Sequence, residues 1–202
     1  MTAMKASTPK DEIRLLAKAI GDELHLAIAN YQVFAPTGRD AALIDRVNTA
    51  GIHDEFNVVS EALQLTTIST LCRIWDKTGG AARLGEVARL LRNRPDLASD
   101  RKDLEQWLSD VERVENSSEE LQALRGFRNV SLAHKHNPNQ PDPRIRSGAR
   151  RVAERDEARL LEGTLLLVER LNVLVGLKDP IDFFGQSEEW RQRAEKFWRS
   201  IR

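Results

Sequence analysis

One cysteine, seven prolines, eleven glycines and a single tyrosine are spread over 202 residues, and aromatic residues make up only 5% of the chain. Each shortage excludes something. Cys72 alone cannot form an internal disulfide, so a disulfide-stapled scaffold is ruled out and a cytoplasmic location is the economical expectation. The low proline and glycine content, with no low-complexity tract, argues against disordered, collagen-like and repeat architectures. Uncharged runs such as Ala62 to Cys72 fall far short of the ~20 apolar residues of a membrane span. At the N-terminus, Lys5, Lys10, Asp11, Glu12 and Arg14 interrupt the stretch that a signal peptide would keep apolar. Neither sign of charge dominates, since 31 Lys+Arg meet 31 Asp+Glu. A nucleic-acid footprint therefore does not cover the whole surface, although it can be concentrated in one place.

What is present is helical periodicity. A hydrophobic content of 41% and a charged content of 31% fit a single domain over residues 1–202 with a full-sized core. Period-two alternation is not sustained anywhere, so the expected fold is all-α. The first helix is expected over about 11–31, with Ile13, Leu16, Ile20, Leu24, Ile28 and Tyr31 forming one stripe. A second helical region from about residue 40, broken near Gly51, leads into a long helix over about 53–76 that Gly79-Gly80 closes. Shorter helices follow over about 83–93 and 100–114. Ser117 reads as an N-cap with Glu120 completing a capping box, and the helix it starts runs to about Lys135. Pro138, Pro141 and Pro143 make 136–148 a loop. Two helices remain, one over about 149–177 and one from about Ser187 that faces the core through Trp190, Ala194, Phe197 and Ile201. The helices over 53–76 and 149–177 are the most apolar and are expected to be central.

The neutral total hides a local dipole. Asp96 to Glu120 holds nine acidic and three basic residues, whereas Leu121 to Arg151 holds one acidic residue and seven basic ones. Those seven are Arg125, Arg128, Lys135, Arg144, Arg146, Arg150 and Arg151, and they frame the proline-containing loop. Such a cluster suits phosphate contacts, arginine offering a bidentate fork to phosphate oxygens. An equally ordinary reading is that acidic and basic faces pair across neighbouring helices.

Arg128 stands out on a helical wheel. It lies four residues after Leu124 and four before Leu132, so it falls inside the apolar stripe and needs a partner: a carboxylate, a ligand phosphate or a second subunit. His134 follows six residues later, roughly 9 Å along the helix and about 120° around it. The two converge on one ligand only if it lies across the helix, if the helix end unwinds, or if two copies of the segment meet. A histidine can exchange protons near neutral pH, and an arginine can hold a phosphate and stabilise charge developing on it. Together they suffice for metal-independent RNA cleavage, in which the 2′-hydroxyl of the RNA is the nucleophile. Asn129 is placed to orient either the histidine or a phosphate oxygen.

The segment Leu124-Arg-Gly-Phe-Arg-Asn-Val-Ser-Leu-Ala-His134 resembles the ribonuclease signature of the HEPN superfamily, an arginine and a polar residue followed a few positions later by a histidine. Leu71-Cys-Arg-Ile-Trp-Asp76, a short loop and the helix over Leu84 to Leu91 further resemble the AbiU-like abortive-infection branch, the similarity spanning about 48–174. The resemblance implies a helical bundle, with additional terminal helices here, that dimerises so that both signatures face a shared cleft. It also implies ribonuclease activity of a toxin or phage-defence protein, with Arg128 and His134 as the catalytic pair and Asn129 as the accompanying polar residue. Arg125, Lys135, His136, Arg144, Arg146, Arg150 and Arg151 are the candidate RNA contacts. Expected partners are an RNA substrate, a second copy of the chain, and an antitoxin or regulatory protein. Gly126-Phe127 stand where some HEPN nucleases carry a glutamate and a lysine before the arginine. The alternative is a non-catalytic HEPN module that binds RNA or protein, with Arg128 in a structural ion pair across the dimer.

Other motifs point to no cofactor. His134 and His136 form a His-x-His pair, but neither His25 nor His53 has ligand spacing to Cys, Asp or Glu, so no metal site is expected. Gly79-Gly80 lacks the Lys-Ser or Lys-Thr ending of a phosphate-cradling loop, which argues against ATP hydrolysis. Asp76 is expected to pair with an arginine across the bundle, and Cys72 to be a small core residue.

Overall fold

A computed structural model describes residues 8–76, 83–133, 155–178 and 180–201, the side chains of 130–133 excepted. Among them are eight α-helices and no strand, so the fold is all-α. Helix α1 (Pro9–Phe34) begins earlier than its hydrophobic stripe because Thr8 and Asp11 form a reciprocal capping box, with Pro9 in the first turn. A 3-10 turn, Ala35–Gly38, leads to α2 (Ala41–Ala50), which Asp40 caps and which ends on Gly51 at a φ of 69°, a conformation glycine adopts without penalty. Helix α3 (His53–Ile74) is followed by α4 (Leu84–Asn93), α5 (Arg101–Ser117), α6 (Glu119–Ala133), α7 (Asp156–Leu174) and α8 (Phe183–Arg199).

Helices α3 and α7 are central as their composition implies, but α1 is the hub: it packs on α3, α4, α7 and α8. Its buried line of Ile13, Ala17, Ile20, Leu24, Ala27 and Ile28 supplies that surface. Helix α3 is buried unevenly. Ile68, Leu71, Cys72 and Ile74 are in the core, whereas Val58 and Val59 near the other end are 67% and 44% exposed. Two indoles fix neighbours onto α7, where Trp75 Nε1 donates to Thr164 Oγ1 at 2.9 Å and Trp107 Nε1 to the Leu167 carbonyl at 2.8 Å. Both tryptophans are buried, so each N–H needs such an acceptor.

Helix α8 departs from expectation in two ways. It starts at Phe183 rather than Ser187, because the Asp182 carboxylate accepts from the Gly185 N–H and caps it earlier. Its buried residues are Phe183, Ala194 and Trp198, with Trp190 and Ile201 packed against the core as expected, while Phe197 is 54% exposed. The larger indole faces inward because its Nε1 reaches the Val33 carbonyl at 2.8 Å. Trp198 also meets Phe56 edge-on at 5.3 Å, which ties α8 to the start of α3.

Candidate functional site

The signature helix α6 starts one residue later than its capping pattern suggested. Helix α5 continues through Ser117, and Ser118 is the residue whose Oγ accepts from the Leu121 N–H at 3.0 Å. With Ser118 as cap, Leu121 takes the position assigned to Glu120, whose carboxylate instead accepts from the Ser118 hydroxyl. Leu121, Ala123 and Leu124 are buried and Phe127 packs against the same cluster, which sets the rotation of α6.

That rotation aims Arg125 and Arg128, three residues apart and so neighbours on the helix surface, at the C-terminal end of α3. The carbonyls there have no partner within the helix and carry the negative end of its dipole, so cations are favoured. Arg125 Nη2 donates to the Trp75 carbonyl. Arg128 Nη1 lies 3.8 Å from Asp76 Oδ2, which supplies the cross-bundle partner expected for Asp76. The contact is loose and open, since the two side chains keep 24% and 31% of their surface exposed. Among the described residues, the other edge of the guanidinium meets the side-chain oxygen of adjacent Asn129, at 3.4 Å from Nε and 3.3 Å from Nη2. Arg128 is therefore neither sealed in the core nor free of a carboxylate. Beneath the pair lies Cys72, fully buried. Burial pushes its thiol up to about 11 despite the opposing charges of Arg128 and Arg125, so at neutral pH it is a neutral core group.

Of the sequence-predicted site residues, the structure brings together Arg125, Arg128 and Asn129 on one turn of α6. His134, Lys135, His136, Arg144, Arg146, Arg150 and Arg151 lie outside the described residues. Two acids the sequence reading did not single out are buried in the first turn of α7, Asp156 at 1% and Glu157 at 5% exposure. Glu157 accepts from Gln64 Nε2 at 2.7 Å. A glutamine inside an uncharged stretch of α3 was the available signal. Part of the acidic run of α5 is matched by arginines of neighbouring helices: Asp110 with Arg170 at 2.6 Å, Glu112 with Arg92 at 3.6 Å. His25 is engaged elsewhere, its Nδ1 lying 2.5 Å from Gln186 Oε1 between α1 and α8. Among the described residues no three His, Cys, Asp or Glu side chains gather as a metal cradle, and no helix is long and apolar enough to cross a membrane.

A family model described as AbiU2, a HEPN family, matches residues 10–192. The chain belongs to the AbiU2 family of HEPN proteins. The match runs from the first turn of α1 into α8, wider than the 48–174 expected from the signature and its flanks, so the terminal helices are part of the AbiU2 pattern. Comparison with curated proteins and with solved structures found no match for this AbiU2 chain.

Proposed function

We propose that this AbiU2 protein is a metal-independent endoribonuclease of toxin or phage-defence type, working as a homodimer in which two signature helices share a cleft. The observation that carries the reading is Arg128: on a helix otherwise anchored in the core, its guanidinium stays partly open beside one long ion pair. A cation held this loosely can exchange its carboxylate for a phosphodiester, to which it offers a bidentate fork. The 2′-oxygen attacks the adjacent phosphorus while its proton passes to a base. The bond from phosphorus to the 5′-oxygen then breaks as that oxygen takes up a proton, leaving a 2′,3′-cyclic phosphate and a 5′-hydroxyl. His134 serves as one of the two proton-transfer groups, Arg128 stabilises the charge gathering on the phosphoryl oxygens, and Asn129 orients them. The angle of about 120° between Arg128 and His134 on a straight helix is the geometric reason for a second copy, which completes the constellation. Lys135, His136, Arg144, Arg146, Arg150 and Arg151 would track the RNA backbone, joined by Arg125 through the N–H groups that its bond to the Trp75 carbonyl leaves over. An antitoxin or regulatory protein is a further partner on this reading.

A second reading has one observation in its favour: the same Arg128–Asp76 pair, taken as a structural tie in a non-catalytic RNA- or protein-binding module. Purified protein incubated with mixed cellular RNA and a chelator separates the two, beside Arg128→Ala and His134→Ala variants of matched stability. Cleavage by the parent that both substitutions abolish is the expected result. Absence of cleavage, or cleavage that survives both, sinks the assignment.

A further inference from the structure

Adjacent residues at the end of α3 grip the two arginines of α6 in unlike ways. Trp75 uses its main-chain carbonyl on Arg125, and a carbonyl at the helix cap moves only when the backbone itself moves. Asp76 uses a side chain on Arg128, across 3.8 Å, with both groups partly exposed. A carboxylate on rotatable bonds can swing away into water. It also sits where an incoming anion would have to lie to meet the same face of the guanidinium. We infer that Asp76 is a built-in counter-ion that competes with the RNA phosphodiester for Arg128, setting the threshold affinity of the site. The inference rests on the reading of Arg128 as the phosphate contact. Two effects act in the same direction. The carboxylate must be displaced before a phosphate can bind, and while it stays nearby its negative charge repels that phosphate. Single phosphates at low concentration therefore lose to Asp76, and a polyanion that presents several phosphates at once displaces it.

The test is the affinity of the intact protein for a mixed-sequence 2′-O-methyl RNA oligonucleotide, which lacks the attacking hydroxyl, read by fluorescence anisotropy at fixed salt. The variants are Asp76→Asn, Asp76→Ser, Asp76→Glu, Arg128→Ala and the double variant Asp76→Asn with Arg128→Ala. Removing the charge should tighten binding about threefold to tenfold, the scale of a partly exposed charge pair together with relief of the repulsion. Asp76→Glu keeps the charge and should bind like the parent. The double variant should gain clearly less over Arg128→Ala than Asp76→Asn gains over the parent, because with the arginine gone only the direct repulsion is left to relieve. If Arg128→Ala weakens binding while whichever of Asp76→Asn and Asp76→Ser folds binds like the parent or more weakly, the counter-ion role is overturned and the phosphate contact stands. If Arg128→Ala binds like the parent, the phosphate-contact reading fails, and this inference falls with it.

Discussion

Replacing Thr164 with valine should destabilise the protein by about 1.5 kcal/mol, and the structure says through which bond. Valine matches threonine in shape, so no cavity opens. What disappears is the acceptor for Trp75 Nε1, which lies 2.9 Å from the hydroxyl. Trp75 is 2% exposed, so its N–H is left in an apolar site with no water to replace the partner, a cost of about 1–3 kcal/mol. The second bond lost, from the Thr164 hydroxyl to the Leu160 carbonyl at 2.6 Å, matters less, because that carbonyl also accepts a main-chain bond of the helix. Exchanging a buried hydroxyl for a methyl returns part of the cost, which places the net near the middle of the range. For a chain of this size about 1.5 kcal/mol corresponds to a fall of roughly 3–6 °C in Tm. Thermal melts followed by circular dichroism, together with urea unfolding, read the effect. Specificity comes from a double-mutant cycle with Trp75→Phe, which removes the donor: Thr164→Val should be close to neutral in that background. An equal cost in both backgrounds, or no cost in the parent, would refute the claim that this bond fastens α3 to α7. The consequence reaches the candidate site, since Trp75 also supplies the carbonyl that holds Arg125 and immediately precedes Asp76.

Two further predictions concern charge. Burial opposes the ionised form of Asp110, but hydrogen bonds from Arg170 and Gln106 and the charges of Arg170 and Arg113 outweigh it and hold the carboxyl below its usual range. Its contribution is therefore present above the ordinary carboxyl range near pH 4 and is lost as pH falls through the lowered value. The Tm difference between the parent and Asp110→Asn should be largest above about pH 5 and shrink steadily below pH 4, and a constant difference would contradict it. The second prediction separates the arginines: Arg128→Ala should lie within about 1 kcal/mol of the parent in urea unfolding, while Arg125→Ala should cost more, about 1–2 kcal/mol, because it leaves a helix-end carbonyl unmet. The reverse order would undo the division of labour drawn between them.

Most of the fold was legible because it depends on spacing. The stripe of α1 follows from period 3.6, the breaks at Gly51 and Pro95 from the backbone limits of glycine and proline, and the central place of α3 and α7 from their apolar content, and each reappears in the structure. The failures share a cause, which is that competing signals of equal local quality are decided by tertiary contacts. Ser117 and Ser118 are both good caps, and the choice follows from where α6 must rotate to bury Leu121 and Leu124. Phe197 and Trp198 both suit a buried face, and the Val33 carbonyl, 165 residues away in sequence, selects the one with an N–H to give. The apolar half of α3 that carries Val58 and Val59 looked central by composition, yet among the described residues no neighbour covers those two side chains. At the candidate site the sequence offered Arg128 as an arginine in an apolar stripe and Asp76 as an acid in want of a cation. Nothing in their 52-residue separation joined them, because the pairing is made by the angle at which α6 meets the end of α3.

That angle also explains how one turn of helix holds both a structural and an exchangeable cation. The end of α3 offers a carbonyl at residue 75 and a carboxylate at residue 76, and Arg125 and Arg128 stand three residues apart on the facing helix. The first contact closes a hydrogen-bonding group that folding would otherwise leave open, so the fold depends on it. The second joins two side chains that water can still reach, so it is weak in the folded protein and stays exchangeable. A guanidinium fully paired in the core would be inert toward a ligand. One with no counter-ion would be costly to keep half-buried among apolar neighbours. The Asp76–Arg128 geometry lies between those limits, and it lets a cation be placed by the core while it remains available to an anion from outside.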